Sequence, residues 1–457
     1  MGQSYALTER WVFGGSAHTF SVHLYDCFPM RFPSCVAVNL AVGLILSGCH
    51  SNTQSATTTK AAPPAVAGVG FTNSPRTLNR LHQGTLLREP GAGETVWTGS
   101  YRIYQGTLPG SPDTITLHLL QERDSGFKTT GLYASCHRTD GHPYELVGRA
   151  SADSVLLWGD IGREDTRARA EAGPRWRLLR QGRTLVGSHN GEPVRLQEAL
   201  PLKSLTFAVP CFSDSIIAFP GVAKSPVARI NLQTLLPNAP APALTANILR
   251  DLHARNGALP NLPAPRLPQI WDQQRADYQK SYFEKVQADP NDMLFAALSP
   301  QDFPYYEFQQ HQTTHVLWNR APLLSLGFYA YRYEGGAHGG YGTQVATYDT
   351  RTGQPLRFAD IFRPGTDVQL SKLLDAAARR VFNIPADQSL DDWLIVETIP
   401  VTHNVYLTSG GAVFVYVPYE IASYGDGEIS LFVSQADLKP LIVPSAAGLL
   451  NKALSTQ

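Results

Sequence analysis

One histidine inside a run of glycines is the feature of this sequence best suited to chemistry. His338 lies in the stretch Tyr-Arg-Tyr-Glu-Gly-Gly-Ala-His-Gly-Gly at residues 331–340. Glycine permits positive φ and close backbone approach, so such a loop can hold one imidazole in a fixed place. An imidazole exchanges protons near neutral pH. Two interpretations follow: His338 lines a recognition groove beside tyrosines, or it bonds carbonyl groups and holds the loop together.

Two further histidines have a spacing that can bind metal. On a helix, His311 and His315 would share a face and could bind one ion. The threonines between them favour a strand instead, in which side chains four residues apart are separated by about 13 Å. His338 has no second histidine at a metal-ligand spacing. We therefore predict no metal site and no cofactor.

Three aspartates, Asp349, Asp360 and Asp367, raise the possibility of a carboxylate pair for glycoside hydrolysis. Asp349 comes just before a turn and Asp360 stands at the start of a helix, positions where aspartate commonly bonds backbone groups. The nucleophile pattern Gly-x-Ser-x-Gly is absent, and the glycine loop lacks the lysine of a phosphate-binding loop. We predict no catalytic residue.

The elements that position these residues fall into two regions. Between residues 96 and 198, short stretches of alternating apolar and polar residues recur about every ten residues, which is typical of a small antiparallel sandwich or open barrel. We predict an all-β domain, sandwich or barrel-like, over residues 91–200.

The second region mixes strands and helices. Apolar periodicity predicts helices at 269–288, 368–382 and 435–439, and strands at 316–333, 341–348, 405–408, 412–417 and 428–433. This order predicts an α+β C-terminal domain with a mostly antiparallel sheet over residues 201–445. Residues 446–457 are predicted to form a C-terminal tail.

Several segments of this second region carry a family resemblance. The stretches at residues 331–340, 348–353, 358–362 and 405–424 resemble the domain of unknown function at the C-terminus of the RsiV anti-sigma factors. The extracytoplasmic part of those proteins senses lysozyme, and the same domain occurs beside some peptidoglycan deacetylases. The resemblance implies a binding module for a lysozyme-like protein or for cell-wall glycan, and no shared reaction. The ligand contacts we predict are Tyr333, Gly335, Gly336, His338, Tyr341 and Tyr419.

An apolar run near the N-terminus predicts where the protein is located in the cell. Residues 36–46 are apolar and end in Leu-Ser-Gly-Cys49, which is similar to the lipobox of bacterial lipoproteins. The run is shorter than the roughly 20 residues of a membrane span and fits a signal peptide. We predict a signal peptide at 30–48, preceded at 1–29 by an over-extended start or a disordered extension. A lipidated Cys49 and a flexible tether would follow over 49–90.

A lipid anchor would place the protein in the cell envelope, on the periplasmic face or the cell surface. The alternative for Cys49 is an unmodified cysteine beside a buried strand. In an oxidising compartment Cys136 and Cys211 either form a disulfide or remain as two buried thiols.

Charge excludes one class of function. The 38 basic and 38 acidic residues balance, and no basic run is interleaved with aromatics, so we predict no nucleic-acid partner. Our leading hypothesis is a non-catalytic envelope lipoprotein that senses or binds a lysozyme-like protein or cell-wall glycan. The alternatives are a peptidoglycan-modifying hydrolase and a structural stabiliser of an envelope complex.

Overall fold

A computed structural model describes residues 7–13, 16–22, 95–111, 113–121, 131–150, 153–159, 174–222, 225–254, 265–286 and 306–454. The chain divides into two compact units, residues 1–72 and 73–457. The predicted signal peptide, Cys49 and tether lie outside the described residues. None of the described helices is long and apolar enough to cross a membrane.

The first unit contains an antiparallel hairpin of β1 (Leu7–Phe13) and β2 (Ser16–Val22). Both strands lie within residues 1–29, for which the sequence predicts an over-extended start or a disordered extension.

Eight antiparallel strands close into a barrel in the order β10-β11-β4-β5-β6-β7-β8-β9. They are β4 (Ser100–Thr107), β5 (Thr114–Gln121), β6 (Gly131–Arg138), β7 (Pro143–Ala150), β8 (Ser154–Trp158), β9 (Trp176–Gln181), β10 (Thr184–His189) and β11 (Glu192–Glu198). Large apolar side chains such as Tyr104, Leu117, Leu157 and Trp176 are fully buried in its core. A small barrel closes on such side chains, and the barrel-like alternative is confirmed.

A seven-stranded sheet follows, in the order β19-β18-β17-β16-β14-β13-β3. Its strands are β3 (Thr95–Thr98), β13 (Pro210–Ile217), β14 (Val227–Gln233), β16 (Gln309–Arg320), β17 (Leu323–Tyr333), β18 (Gly340–Asp349) and β19 (Gln354–Leu356). β14 and β16 pair in parallel, and the other pairs are antiparallel. A two-stranded sheet joins β12 (Phe207–Ala208) to β15 (Leu236–Pro237).

β3 differs from the predicted domain boundary, because it pairs with β13 although it lies within 91–200. The chain leaves the large sheet at Gly99 and enters the barrel at β4. A Cβ at Gly99 would lie 2.8 Å from the carbonyl oxygen of Gln121. Only glycine fits this crossing, since real Cβ contacts are longer.

Two helices cover the large sheet, α1 (Pro242–Ala254) and α2 (Leu267–Val286). The apolar stripe of α2 includes Ile270, Trp271, Tyr278 and Tyr282, all buried. Trp271 stacks on Phe212 of β13, with ring centroids 5.5 Å apart. The helical spacing of these aromatics therefore reflects core packing.

A smaller sheet of β20 (Val405–Thr408), β21 (Gly411–Tyr416) and β22 (Ile429–Ser434) completes the C-terminal region. The helices beside it are α3 (Phe358–Ile361), α4 (Asp367–Phe382), α5 (Gln435–Leu438) and α6 (Pro444–Leu454). Helix α4 buries Leu370 and Leu374 in one cluster with Phe414 and Leu431. The α+β fold with mostly antiparallel sheets is thus confirmed.

Helix α6 occupies most of the predicted C-terminal tail. Leu449, Leu450 and Ala453 belong to the same core cluster as α4. Pro444 begins the helix, where its missing N–H is not needed. The apolar spacing after this proline is helical, which is why the segment packs instead of extending as a tail.

The two cysteines considered for a disulfide lie in different cores. Cys136 belongs to the barrel core and Cys211 to the core of the large sheet. Both are buried and they form no disulfide with each other. The Cys211 thiol instead donates to the carbonyl of Val209 at 3.5 Å. The structure therefore has the second alternative, two buried thiols.

Candidate functional site

The glycine loop connects β17 to β18, as the sequence predicted. Gly335 and Gly336 have φ of 87° and 91°, values that side chains disfavour. The hydroxyl of Tyr333 donates to the carbonyl of Gly336 at 3.1 Å. Two of the predicted contacts, Tyr333 and Gly336, thus hold one end of the loop.

His338 lies at the other end of the loop and is solvent-exposed. Its ring stacks on Tyr424, with centroids 4.0 Å apart and planes 26° apart. Its Nδ1 lies 3.1 Å from the carbonyl oxygen of Gly339, which also accepts a bond from the Tyr424 hydroxyl at 2.8 Å. One carbonyl therefore anchors both rings, as expected if His338 helps to hold the loop, while the imidazole stays exposed.

Gly339 lies close to a tyrosine ring. A Cβ on this residue would lie 2.6 Å from the ring of Tyr331. The buried Gly339 backbone therefore lies directly against this ring, which supports the loop from β17.

Further tyrosines extend the stacked pair into a surface. Tyr341 meets Tyr424 edge-on at 5.4 Å, and Tyr419 lies 5.8 Å from Tyr424. Tyr329 stands 6.3 Å from Tyr341. These distances are those of favourable aromatic pairs. We call His338, Tyr341, Tyr419 and Tyr424 the tyrosine surface.

Tyr419 is the most exposed tyrosine of this surface, with 57% of its surface accessible. Its φ is 73°, a conformation that costs free energy in a side-chain-bearing residue. The turn is held by the Glu420 carboxylate, which accepts from the Val417 amide at 2.9 Å, and by the Tyr419 amide, which donates to Ala422. The turn thus presents a large aromatic ring to solvent at some cost in strain.

The tyrosines remain neutral hydrogen-bonding groups. Burial raises the pKa of Tyr331, Tyr341 and Tyr424 above the ordinary value, and neighbouring tyrosines add to this effect. The nearby Glu428 carboxylate accepts from the Thr343 amide and from its hydroxyl. At neutral pH the surface therefore offers apolar faces and uncharged hydroxyls.

The structure brings together three of the predicted contacts, His338, Tyr341 and Tyr419. Gly335, Gly336 and Tyr333 shape the loop rather than join the ring cluster. The prediction omitted Tyr424, although it is central to the cluster. The segment 413–424 that carried the family resemblance contains this tyrosine, which is the sequence feature that pointed to it.

Two of the candidate aspartates accept hydrogen bonds from backbone amides close to them in the sequence. Asp349 accepts from the Arg351 guanidinium at 2.7 Å and from the Arg351 amide at 2.9 Å, and Asp360 accepts from the amide of Arg357 at 2.8 Å. Among the described residues, no hydrogen bond joins His338 to a carboxylate.

His311 and His315 both lie on β16, so the strand interpretation is confirmed. His315 faces Gly327 across the hairpin, and a Cβ at Gly327 would lie 2.5 Å from His315 Nε2. Within the described ranges, no three histidine, cysteine, aspartate or glutamate side chains cluster as a metal site would require.

Fold and site together define a barrel followed by an α+β domain with an exposed aromatic surface. Residues 359–436 match the family model described as "Protein of unknown function (DUF3298)". The chain therefore contains a DUF3298 domain, which spans α4, β20, β21 and β22 and includes Tyr419 and Tyr424. A comparison with curated proteins finds no match.

Two solved structures are similar to this chain. A DUF3298 family member from Bacteroides fragilis is 18% identical with a TM-score of 0.48, and the match covers 55% of this chain and 100% of that one. A DUF3298 family protein from Pseudomonas aeruginosa is 20% identical with a TM-score of 0.37, covering 52% of this chain and 95% of that one.

Proposed function

We propose that this protein is a non-catalytic, lipid-anchored envelope module that binds a lysozyme-like protein through the tyrosine surface. The observation that carries the proposal is the stacked pair of His338 and Tyr424, held rigidly on one carbonyl and open to solvent. A rigid exposed aromatic group loses little conformational entropy on binding.

The chemistry of the surface favours a protein partner. Tyrosine is enriched at protein interfaces because it combines apolar area with one hydroxyl, whereas charged side chains are depleted at interface centres. Tyr341 and Tyr424 are half-buried and Tyr419 projects beyond them. The fixed rings provide the kind of anchor that dominates binding energy.

The choice of a lysozyme-like partner rests on the sequence resemblance to the RsiV-like domain. The DUF3298 match supports that resemblance at the level of the domain. Cell-wall glycan is the other ligand class the resemblance implies, and the binding experiment separates the two.

The binding experiment uses the purified chain, immobilised lysozyme and, separately, insoluble peptidoglycan. We expect retention on lysozyme and a loss of affinity of about tenfold or more in Tyr424→Ala and Tyr419→Ala, the range of an aromatic interface anchor. Leu202→Ala is the matched control, because Leu202 is 83% exposed but lies outside the tyrosine surface. Retention on peptidoglycan alone would show that the ligand is cell-wall glycan and not a lysozyme-like protein. Retention on neither would overturn the proposal.

The anchor is tested separately. Cells expressing the protein are labelled with a palmitate analogue, and we expect incorporation in the natural chain and none in Cys49→Ala. The fractionated natural chain should sediment with membranes, whereas Cys49→Ala should not. Equal labelling of both chains would contradict lipidation at Cys49.

A further inference from the structure

A buried polar cluster lies where the barrel meets the large sheet. Tyr101 of β4, His118 of β5 and His137 of β6 come from the barrel, whereas Trp318 and Asn319 come from β16. His137 packs against Trp318 with ring centroids 4.3 Å apart and the planes tilted by 40°. The two histidine rings are 5.3 Å apart. We call these five residues the junction cluster.

The hydrogen bonds of the cluster define where the proton sits on His118. The Asn319 side-chain amide donates to the carbonyl of Leu205 at 2.7 Å and to the Tyr101 hydroxyl at 3.1 Å. Tyr101 keeps its own proton available, and its hydroxyl lies 2.8 Å from His118 Nδ1. When Tyr101 donates this proton, Nδ1 is the acceptor and neutral His118 carries its proton on Nε2.

That Nε2 is buried and has no hydrogen-bond partner within the described part of the chain. His118 is 2% exposed. A second proton would have to enter at Nδ1, where the Tyr101 hydroxyl already points its hydrogen. Protonation of His118 would thus force the Tyr101 hydroxyl to turn its hydrogen away from Nδ1 and would place a charge in a buried site.

His137 is in a similar position. It is 5% exposed, and its Nδ1 makes a long contact of 3.4 Å with the carbonyl of Arg138. The charged groups that face it are Arg320 of β16, which opposes a positive charge, and Asp140 of the β6–β7 turn, which favours one. Asp140 already accepts from the His142 amide at 3.0 Å. Arg320 Nε is itself buried without a partner among described residues.

The remaining neighbours do not supply a counter-charge. Phe207 of β12 packs edge-on against Tyr101 at 5.5 Å, and Tyr101 is a neutral phenol because burial raises its pKa. The two imidazoles face each other, so the charge on one opposes the charge on the other.

The same junction continues beyond the cluster through a close backbone contact. A Cβ at Gly141, in the β6–β7 turn, would lie 2.3 Å from the amide nitrogen of Gly410, in the turn before β21. The Ser430 hydroxyl of β22 donates to the Glu145 carboxylate of β7 at 2.9 Å. The barrel therefore contacts both sheets.

We propose that the junction cluster is an acid-sensitive latch: proton uptake by His118 and His137 releases the barrel from β16. When the junction is closed, both imidazoles are neutral and Asn319 links Tyr101 to the Leu205 backbone. When it opens, water reaches both rings and each can carry its charge.

The difference in proton binding between the closed and open states decides how the stability of the junction changes with pH. Burial lowers the pKa of His137 to about 4 and also lowers the pKa of His118. The open state therefore binds more protons than the closed state between about pH 4 and 6.5. The junction is fully stable above about pH 6.5 and weakens as the pH falls. For His137 alone, the opening constant should rise about 20-fold between about pH 7 and about pH 5.

Hydrogen exchange of the full chain tests the latch. The Leu205 amide donates to the Asn319 side chain at 2.9 Å, so its exchange reports opening of the cluster. After correction for intrinsic exchange rates, its protection should fall at least about 20-fold from about pH 7 to about pH 5. The amides of α4 should stay more protected than Leu205 at both values.

The matched variants are His118→Asn with His137→Asn, and His253→Gln. Asparagine keeps an acceptor or donor near each Nδ1 but cannot titrate, so the double variant should lose most of the pH response of the Leu205 amide. His253, which bonds Gln273 between α1 and α2, lies outside the cluster, and its variant should keep that response. An unchanged Leu205 protection at both pH values would overturn the latch. So would equal protection of Leu205 and α4 at low pH, or a full response in the double variant.

Discussion

Tyr424 lies against His338 with ring centroids 4.0 Å apart, while its hydroxyl and the His338 Nδ1 both reach the carbonyl of Gly339. One tyrosine thus joins the turn after β21 to the loop between β17 and β18. The contact spans 86 positions in sequence, since 424 − 338 = 86. It explains how a loop of glycines keeps a defined shape.

Tyr424→Phe should therefore loosen the loop without separating the rings. It removes one hydrogen bond of about 0.5–1.5 kcal/mol and keeps the stack, whereas Tyr424→Ala removes both. The NMR shift of the His338 ring protons, assigned with His338→Ala, should lose its ring-current displacement only in Tyr424→Ala. Tyr333→Phe, which removes the bond to Gly336, is the control and should leave that shift in place. Loss of the displacement in Tyr424→Phe would contradict the stacking.

Gly327→Ala should destabilise the β16–β17 hairpin. The new methyl would lie 2.5 Å from His315 Nε2, so the imidazole must move within a packed sheet, at a cost of about 1–3 kcal/mol. Gly340→Ala is a matched control, because a methyl group on Gly340 would have nothing within 4 Å of it. Urea unfolding of both variants measures the difference. Equal stability of the two would show that His315 moves freely.

Local patterns in the sequence were sufficient for helices α2, α4 and α5 and for most strands, but not for helix α6. The stripe Ile270, Trp271, Tyr278 and Tyr282 has a helical period, and these side chains are buried as that period requires. Barrel strands β8 and β9 also alternate between more buried and less buried residues. Period and alternation depend only on near neighbours in the chain, so they are visible in the sequence.

Closure of the barrel and the contacts between segments distant in sequence were not predictable from such local patterns. The barrel closes where β11 pairs with β4, Gln197 opposite Gln105, and alternation is the same in a sandwich. The Tyr424 contact likewise depends on how two distant turns meet. The junction cluster needed the docking of β5 and β6 on β16, which no spacing encodes.

Asn404→Ala should weaken the contact between the two sheets. Asn404 donates to the carbonyls of Thr343 and Val415 and accepts from the Val345 amide, at 2.8, 3.1 and 2.8 Å. Loss of all three bonds leaves β18 groups unsatisfied, at a cost of about 1–3 kcal/mol. Asn451→Ala, which removes one exposed bond from Gln435, should cost much less. Comparable losses in the two variants would contradict the bridging role of Asn404.

The free energy of unfolding should decrease in mild acid because two buried histidines of β16 become protonated when the chain unfolds. Burial lowers the pKa of His311 and His315 to about 4, so the unfolded chain binds more protons between about pH 4 and 6.5. Their contribution is complete above about pH 6.5 and is lost as the pH falls, by about 2 kcal/mol per histidine at about pH 5. Urea unfolding of His311→Gln with His315→Gln should show a flatter pH dependence than the natural chain. His253→Gln should not flatten it, and an unchanged slope in the double variant would contradict the assignment.

The two buried thiols should be inert until the protein unfolds. Burial raises the pKa of Cys136 well above its ordinary value, so little thiolate forms, and thiolate is the reactive species. Cys211 is equally buried, in another core. Iodoacetamide should modify neither cysteine in the folded chain and both in denaturant, with or without prior reduction, as seen by peptide mass spectrometry. A cross-linked peptide joining Cys136 to Cys211 in the non-reduced digest would show that the chain forms the disulfide instead.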